Sequence, residues 1–399
     1  MRQSDQAPCD ELGSQPPEPD ALAHSIRLIG TICAEIEASG GRLPFQRYME
    51  LALYAPGLGY YSAGARKFGP AGDFITAPEL SPLFSRCLAR QCQQVLAATG
   101  GDILELGAGS GIMAADILLE LASLSCLPER YLILEISAEL RQRQRQTLQQ
   151  HAPELLPRVQ WLDRLPAVPI EGVILANEVI DAMPVERFQM TPQGLQSLSV
   201  SWTGTRFRTC LDTPSVALTA WYQALTQALG YALPLGYESE RNPHLADWLQ
   251  GLANSLRRGV MLFIDYGYPA REYYHPERSM GTLVCHYRHR AHADPFVYPG
   301  LQDITANVDF SALAEAALAA DLELLGYTSQ NYFLFGCGLE KLLATADPSD
   351  SVRYLALTGA IKQLTLPGEM GERFKVLACG RGLTEPLCGF SFRDERFRL

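Results

Sequence analysis

The sequence predicts an α/β protein built around a mostly parallel sheet of seven strands. From residue 102 onward, short apolar runs of strand length alternate with segments that have helical spacing of apolar residues. Buried strands separated by helices indicate right-handed β-α-β units. A glycine-rich turn directly after the first apolar run adds a Rossmann-like character. The seven predicted strands are 102–106, 131–136, 158–162, 172–176, 259–265, 321–327 and 373–379.

The region before the first strand is predicted to be helical. Residues 1–20 are polar and carry Pro16-Pro17-Glu18-Pro19, which favours a disordered tail. Apolar residues at helical spacing then run from Ile26 to the break at Gly40-Gly41, and a second helix is predicted from Pro44 to Tyr54. A third helix is predicted from about residue 80 to 98. We therefore assign 21–98 to a helical N-terminal region.

The rest of the chain is predicted to be one core, 99–385, with two inserted segments and a C-terminal tail at 386–399. The insertions lie at about 189–240 and 268–308, and the second is rich in aromatic residues and histidine. Long insertions at the carboxyl ends of parallel strands usually carry substrate recognition. We expect these two segments to serve that purpose.

Composition excludes several classes of function. The formal net charge is −11, which argues against a nucleic-acid ligand because phosphate contacts need clustered Lys and Arg. No apolar run approaches the ~18–20 residues needed to span a bilayer, so we expect no membrane insertion. The ten cysteines include no C-x-x-C pair, and the N-terminus has no apolar signal core. These features predict free thiols and a cytoplasmic protein.

The turn after the first strand carries the strongest local signal. A dinucleotide-binding fingerprint would need a small residue at 112, where this chain has Ile. Glu105, just before the turn, would repel a pyrophosphate but can accept a hydrogen bond from an α-ammonium group. The pattern E-x-G-x-G-x-G resembles the first motif of class I methyltransferases, which implies S-adenosylmethionine as the cofactor. The candidate cofactor-binding residues of this motif are Glu105, Gly107, Ala108, Gly109 and Gly111.

Acidic residues also follow the second and third strands. Glu135 ends the second strand, where a carboxylate can accept hydrogen bonds from both ribose hydroxyls. Asp163 ends the third strand, where class I methyltransferases commonly meet adenine. The alternative for Asp163 is a solvated loop carboxylate. Both residues are candidates for cofactor binding.

A polar cluster follows the fourth strand, at Asn177, Glu178 and Asp181, with Glu186 further on. We expect Asn177 to contact the cofactor and the carboxylates to face the methyl group. A planar guanidinium suits such carboxylates, because they can orient its fork of donors. Glu178 and Glu186 are similar to the paired glutamates of arginine methyltransferases. The alternative is that Asn177 only caps a helix.

Together these motifs resemble the MidA (DUF185-like) family, over about 26–379. The resemblance rests on Thr76-Ala77-Pro78-Glu79, Asn177-Glu178-x-x-Asp181-Ala182, Ile264-Asp265-Tyr266-Gly267 and Asp303-Ile304-Thr305-Ala306. One departure is Ser85, where the family commonly has glycine. The resemblance implies a class I methyltransferase fold and methylation of an arginine ω-nitrogen in a protein substrate. It adds Glu79 to the candidate catalytic residues, and its mitochondrial members act in respiratory complex I assembly.

Other readings stay open. His286, His289 and His292 have an unusual spacing for zinc, so we predict no metal site and expect a loop that contacts substrate or covers the cofactor. Four aromatic residues either line a peptide groove or belong to the core: Tyr60, Tyr61, Phe68 and Phe74.

The alternative functions are a small-molecule methyltransferase and a non-catalytic assembly factor that binds S-adenosylmethionine. A homodimer is also open.

Overall fold

The structure is a computed structural model that describes residues 17–62, 76–347 and 349–399. Its helices are α1 (Pro19–Ala38), α2 (Phe45–Tyr54), α3 (Ala77–Leu80), α4 (Pro82–Thr99), α5 (Ile112–Ser123), α6 (Ala138–His151), α7 (Val216–Leu229), α8 (Leu245–Asn254), α9 (Ala270–Tyr273), α10 (Phe310–Ala319), α11 (Gln330–Gly336), α12 (Leu339–Leu343), α13 (Ser351–Thr365) and α14 (Met370–Arg373).

The strands are β1 (Leu43–Pro44), β2 (Asp102–Leu106), β3 (Tyr131–Leu134), β4 (Val159–Leu162), β5 (Ile170–Asn177), β6 (Glu186–Thr191), β7 (Gly194–Trp202), β8 (Phe207–Asp212), β9 (Glu238–Arg241), β10 (Leu256–Tyr268), β11 (Val284–Tyr287), β12 (Arg290–His292), β13 (Asp303–Thr305), β14 (Val308–Asp309), β15 (Glu323–Ser329) and β16 (Phe374–Arg381). Single 3-10 turns lie at 156–158, 388–390 and 396–398.

The central sheet has the strand order β15-β16-β10-β5-β2-β3-β4. The five strands from β10 to β4 are parallel, and β16 is antiparallel to both of its neighbours. The short strand β14 adds a parallel pair to the end of β10. The seven predicted strands all occur here, which confirms the predicted fold class of a seven-stranded, mostly parallel sheet.

Alternating side chains of the central strands pack into two cores, one on each face of the sheet. In β2, Ile103 joins the core formed with α4 and α5, whereas Leu104 and Leu106 join the core formed with α8 and α10. All five residues of β2 are buried. Such burial on both faces is typical of parallel strands that are covered by helices on both sides.

The helical N-terminal region and the first insertion form one unit. Strand β1 pairs with β7, with Leu43 opposite Val200, in a five-stranded antiparallel sheet of β1 and β6 to β9. Residues from α1, α2 and this sheet share a hydrophobic cluster with Cys285 and Ile304 of the small sheet β12-β11-β13. This pairing could not be predicted from the sequence, because nothing local in the chain indicates it.

Both chain ends differ from the predicted tails where the structure describes them. Helix α1 begins at Pro19, and residues 1–16 lie outside the described residues. The predicted C-terminal tail, 386–399, instead packs on the core: Phe390 is buried, and its ring contacts that of Phe333 with centroids 5.5 Å apart. No helix in the described part of the chain is long and apolar enough to cross a membrane.

Candidate active site

A cleft of about 280 Å³ opens at the carboxyl ends of β2, β3 and β5. This is the edge at which open parallel sheets usually bind their ligands. Residues from α2, from the turns after the three strands and from α8 line the cleft. The site therefore lies where the strand-end motifs meet.

The glycine turn forms the floor of the cleft. Gly107 and Gly109 have φ of 63° and 52°, a left-handed conformation that favours glycine. A Cβ atom at Gly109 would meet no protein atom within 4 Å, so a larger residue there would project into open space at the cleft. Gly107, Ala108 and Gly109 all line the cleft. The turn thus lets a ligand approach the backbone closely.

Gly111 has a structural role in place of the predicted ligand contact. It caps the start of α5 with φ of 85° and does not line the cleft. A Cβ atom there would lie 2.9 Å from the Cα atom of Gln144 in α6. Glycine at this position therefore permits the close packing of α5 against α6.

Glu105 is buried beneath the turn and lines the cleft. The hydroxyl of Tyr131 donates a hydrogen bond of 2.7 Å to its carboxylate. Burial is the main cause that raises the pKa of Glu105 to about 7, and the Tyr131 hydrogen bond opposes it. No cation of the described chain pairs with this carboxylate, so a cationic group of a ligand would stabilise its ionised form.

Glu135 is held at the end of β3 by two donors. The backbone N–H of Ser137 and the side chain of Gln144 donate hydrogen bonds of 2.9 and 3.0 Å to its carboxylate. Burial raises its pKa, against these hydrogen bonds. Gln144 also donates to the Gly109 carbonyl and accepts from the indole N–H of Trp161. One buried glutamine therefore fixes the glycine turn and Glu135 together.

Asp163 is a correction to the predicted cofactor site. Its side chain is 88% exposed and forms an ion pair with Arg141 at 2.6 Å. It does not line the cleft. Arg141 of α6 holds the Asp163 carboxylate on the solvent side of the strand end, away from the cleft. The alternative of a solvated loop carboxylate is the better description.

Glu178 follows β5 and lines the cleft in a left-handed backbone conformation, with φ of 53°. The side-chain amide of Asn177 donates a hydrogen bond of 3.2 Å to Glu178. Burial, and then the negative charge of Asp181, raises the pKa of Glu178 to about 8. Among the described residues, no cation lines the cleft beside Glu178 or Asp181, so one of these two carboxyl groups tends to hold a proton.

Asp181 is positioned by residues of β10. Tyr266 donates a hydrogen bond of 2.5 Å to Oδ2 of Asp181, and Asp265 accepts hydrogen bonds from the backbone N–H groups of Ile180 and Asp181. Burial raises the pKa of both carboxyl groups, that of Asp181 to about 6. Among the described residues, Oδ1 of Asp181 and Oδ1 of Asn177 are buried without a hydrogen-bond partner. Both residues line the cleft, so these two oxygens are acceptors open to a donor group of a ligand.

Glu186 is a second correction. It lies in β6, outside the cleft, and pairs with Arg241 of β9 at 2.7 Å. The turn between Glu178 and Glu186 therefore does not bring two glutamates around one ligand. Asp181 is the carboxylate that accompanies Glu178 in the cleft.

Two tyrosines complete the wall beside the carboxylates. The rings of Tyr54 and Tyr61 are stacked, with centroids 5.5 Å apart. Tyr54 donates a hydrogen bond to the Ala182 carbonyl at 2.9 Å, and Tyr61 donates to Asp303 at 3.0 Å. Of the aromatic residues left open by the sequence, Tyr61 lines the cleft and Tyr60 is buried in the core, while Phe68 and Phe74 lie outside the described residues.

Glu79 also lines the cleft, together with several residues that are not among the predicted site residues. Glu79 accepts a hydrogen bond from the hydroxyl of Ser110, so it contacts the glycine turn and not Asp181. Tyr54 and Trp248 were missed because each is an isolated aromatic residue without a local motif, whereas Ser110 lies within the glycine motif at a position that the pattern leaves unspecified. For Asp265 and Tyr266, the only signal in the sequence is the family motif Ile264-Asp265-Tyr266-Gly267.

The electrostatic character of the cleft is one-sided. Within the described part of the chain, its lining contains no Lys, Arg or His. Its five carboxylates are Glu79, Glu105, Glu135, Glu178 and Asp181. Such a lining favours ligands that carry positive charge.

The histidine-rich segment lies elsewhere. His286 and His292 are on the paired strands β11 and β12, and His289 is in the turn between them. None of the three lines the cleft. Over the described ranges, no group of three His, Cys, Asp or Glu residues is arranged to hold a metal ion.

Comparison with known proteins gives consistent relatives. Residues 87–328 match a family described as S-adenosyl-L-methionine-dependent methyltransferases. A crystal structure from Burkholderia thailandensis with bound S-adenosyl-homocysteine is 46% identical, covers 97% of this chain and all of its own, and has a TM-score of 0.93. A native structure from the same organism is 45% identical over 97% of this chain and all of its own, with a TM-score of 0.89.

Curated relatives span most of the chain at lower identity. A Drosophila melanogaster protein named protein arginine methyltransferase NDUFAF7 homolog, mitochondrial, is 29% identical over 94% of this chain and 93% of its own. The Homo sapiens protein named protein arginine methyltransferase NDUFAF7, mitochondrial, is 29% identical over 85% of this chain and 80% of its own.

Proposed function

This chain belongs to the family of S-adenosyl-L-methionine-dependent methyltransferases, and from that premise we propose that it methylates an ω-nitrogen of arginine in a protein substrate. The observation that carries the proposal is the acceptor wall of the cleft, formed by Glu178, Asp181, Tyr54 and Tyr61. It combines two carboxylates with two stacked aromatic rings.

The residues around the glycine turn fit the cofactor. Glu105 and the unpaired Oδ1 of Asn177 are acceptors that suit its α-ammonium group, and Glu135 suits the ribose hydroxyls. Gly109 leaves room against the backbone, since a Cβ atom there would meet no protein atom within 4 Å. When bound, S-adenosylmethionine supplies an electrophilic methyl group on a sulfonium centre.

The acceptor wall fits a guanidinium. This group is planar, stays charged and offers five N–H donors, which matches the open oxygen of Asp181 and the carboxylate of Glu178. The faces of tyrosine rings also attract a guanidinium. A carboxylate or phenol acceptor would instead meet negative charge on this wall.

The chain then has two tasks during transfer. Glu178 and Asp181 hold the guanidinium so that one nitrogen is in line with the methyl group, and Tyr54 and Tyr61 limit its movement. Methylation of that nitrogen requires the loss of one N–H proton. Glu178, whose pKa is raised to about 8, takes the proton onto its carboxylate.

The names of the curated relatives support the same acceptor, since they are called protein arginine methyltransferases. The MidA resemblance points the same way. A subunit of respiratory complex I is accordingly the first protein to test as substrate.

The test uses S-adenosylmethionine labelled on its methyl group. Lysate from a strain that lacks this protein is incubated with the purified full-length chain, and labelled species are identified by mass spectrometry. We expect label on arginine in one or a few proteins. Label on a metabolite would identify a small-molecule methyltransferase, and no label despite cofactor binding would identify a non-catalytic assembly factor.

Two matched variants sharpen this test. Glu178→Gln removes one charge from the acceptor wall and should lower turnover about a hundredfold while cofactor binding is kept. Glu186→Gln removes a charge that pairs with Arg241 outside the cleft, and should leave turnover nearly unchanged. Equal losses in both variants would contradict the assignment of the acceptor wall.

A further inference from the structure

Two cysteines from distant parts of the chain meet at a second cavity. Cys337 directly follows α11, and Cys388 begins the 3-10 turn 388–390. Both line a cavity of about 350 Å³ together with Arg90 and Lys341. This cavity shares no lining residue with the active-site cleft.

The backbone brings the two thiols together. Gly336 lies so close to the C-terminal segment that a Cβ atom on it would be 2.6 Å from the Cys388 carbonyl oxygen. The side chains of Cys337 and Cys388 interact with each other, and the thiol of Cys388 also donates a hydrogen bond of 3.5 Å to Oε1 of Gln91. Gln94 fixes the backbone of Cys388 by accepting its N–H at 2.9 Å. The pair is therefore held by packing on both sides.

The surroundings of Cys388 favour its thiolate. The interaction with the Cys337 thiol is the main cause that lowers the pKa of Cys388; burial opposes it, and the charge of Arg90 adds a smaller lowering. In the half-buried Cys33 and Cys126 burial is the largest cause, and it raises their pKa values. The other thiols that face the pair, Cys87 and Cys92 of α4, are buried and also have raised pKa values.

We propose that Cys388 and Cys337 form a redox-active thiol pair that peroxides oxidise to a disulfide. The Cys388 thiolate attacks one oxygen of hydrogen peroxide, the O–O bond breaks, and the leaving hydroxide takes a proton to become water. This gives a sulfenic acid on Cys388. The sulfur of Cys337 then attacks that of Cys388, forms the S–S bond and releases a second water. Two thiols are oxidised and one peroxide is reduced.

Cys337 acts as the resolving thiol because of its position. Only 3% of it is exposed, so it meets small oxidants less readily than the half-buried Cys388. The disulfide would join the end of α11 to the C-terminal segment. This pairing is independent of the methyl acceptor, so its test does not depend on the proposed function.

The first experiment measures thiol reactivity in the folded, reduced, full-length chain. Iodoacetamide is added at pH 7, and alkylation of each cysteine is followed by mass spectrometry. We expect Cys388 to react about tenfold faster than Cys33 and Cys126, and Cys337→Ser to slow it by removing the stabilising thiol. Reaction of Cys388 at the rate of the control thiols would overturn the proposal.

The second experiment identifies the oxidation product. Hydrogen peroxide at equimolar amounts should give a peptide linking Cys337 to Cys388, and dithiothreitol should reverse it. Cys126→Ser should leave this linkage unchanged, whereas Cys388→Ser should remove it. Oxidation without the linked peptide would overturn the proposal.

Discussion

Glu135 and Asp181 lie in the same cleft, but their carboxylates have different partners. Both oxygens of Glu135 accept hydrogen bonds from the chain itself, which fixes its orientation before any ligand arrives. Asp181 keeps Oδ1 without a partner and binds Tyr266 through Oδ2. The fixed carboxylate of Glu135 therefore suits a ligand whose shape does not vary. Asp181 can select its ligand only through the one oxygen that has no partner.

Replacing Glu135 tests the cofactor half of the cleft. Glu135→Ala should weaken S-adenosylmethionine binding by about 1–3 kcal/mol, because the ribose hydroxyls lose a charged acceptor. Isothermal titration calorimetry measures this change. Asp163→Ala is the matched control and should bind normally, since its side chain is turned to solvent. An equal loss in both variants would show that the two strand ends are assigned wrongly.

The acceptor half should give a pH dependence. A guanidinium binds the ionised form of Glu178, whose pKa in the ligand-free protein is about 8. With saturating S-adenosylmethionine, kcat/KM for the acceptor should rise with pH, at most about tenfold per pH unit, and level off near or below pH 8 because the sulfonium favours ionisation. Glu178→Gln should remove this rise. A flat profile between about pH 6 and 9 in the unsubstituted protein would exclude the role of Glu178.

At the scale of single elements, Gly111 at the start of α5 has a packing role that Gly230 at the end of α7 lacks. Gly111→Ala should destabilise the fold more than Gly230→Ala, although both residues have φ above 80°. Alanine at 230 meets no atom within 4 Å and should cost only the left-handed backbone, about 1–2 kcal/mol. Alanine at 111 also contacts the backbone of Gln144, which should add about 1–3 kcal/mol. Urea unfolding measures both, and equal costs would contradict the packing argument.

Elements with local signals could be predicted from the sequence. The strand β2, its glycine turn and α5 follow one another, so the position of Glu105 in the cleft follows from neighbouring residues. Tyr61 could not be placed in this way, since its partner Asp303 is 242 residues away. Glu186 was misplaced for the same reason, because its partner Arg241 comes from another strand. Contacts between distant segments decide which carboxylates face the ligand.

At the scale of the whole molecule, the cleft has walls from two structural units. The central sheet supplies the cofactor half, while Tyr54 and Tyr61 come from the N-terminal unit that packs with the antiparallel sheet. Binding at this junction should stabilise the complete fold.

A thermal unfolding experiment tests this linkage. S-adenosyl-homocysteine at a hundred times its Kd should add about 2.7 kcal/mol to the free energy of unfolding and raise Tm. NAD should give no shift. Gly109→Val should abolish the shift by placing a branched side chain at the cleft floor. A shift with NAD alone would contradict the cofactor assignment.

The left-handed backbone at Glu178 has a consequence for how this sequence can evolve. A glutamate with φ of 53° costs on the order of 1 kcal/mol or more, and burial of its carboxyl group adds to that cost. Asparagine tolerates this conformation and carries no charge. Glu178→Asn should therefore raise Tm while methyl transfer is lost. In a lineage that no longer used the site, this replacement would add stability at no cost in activity.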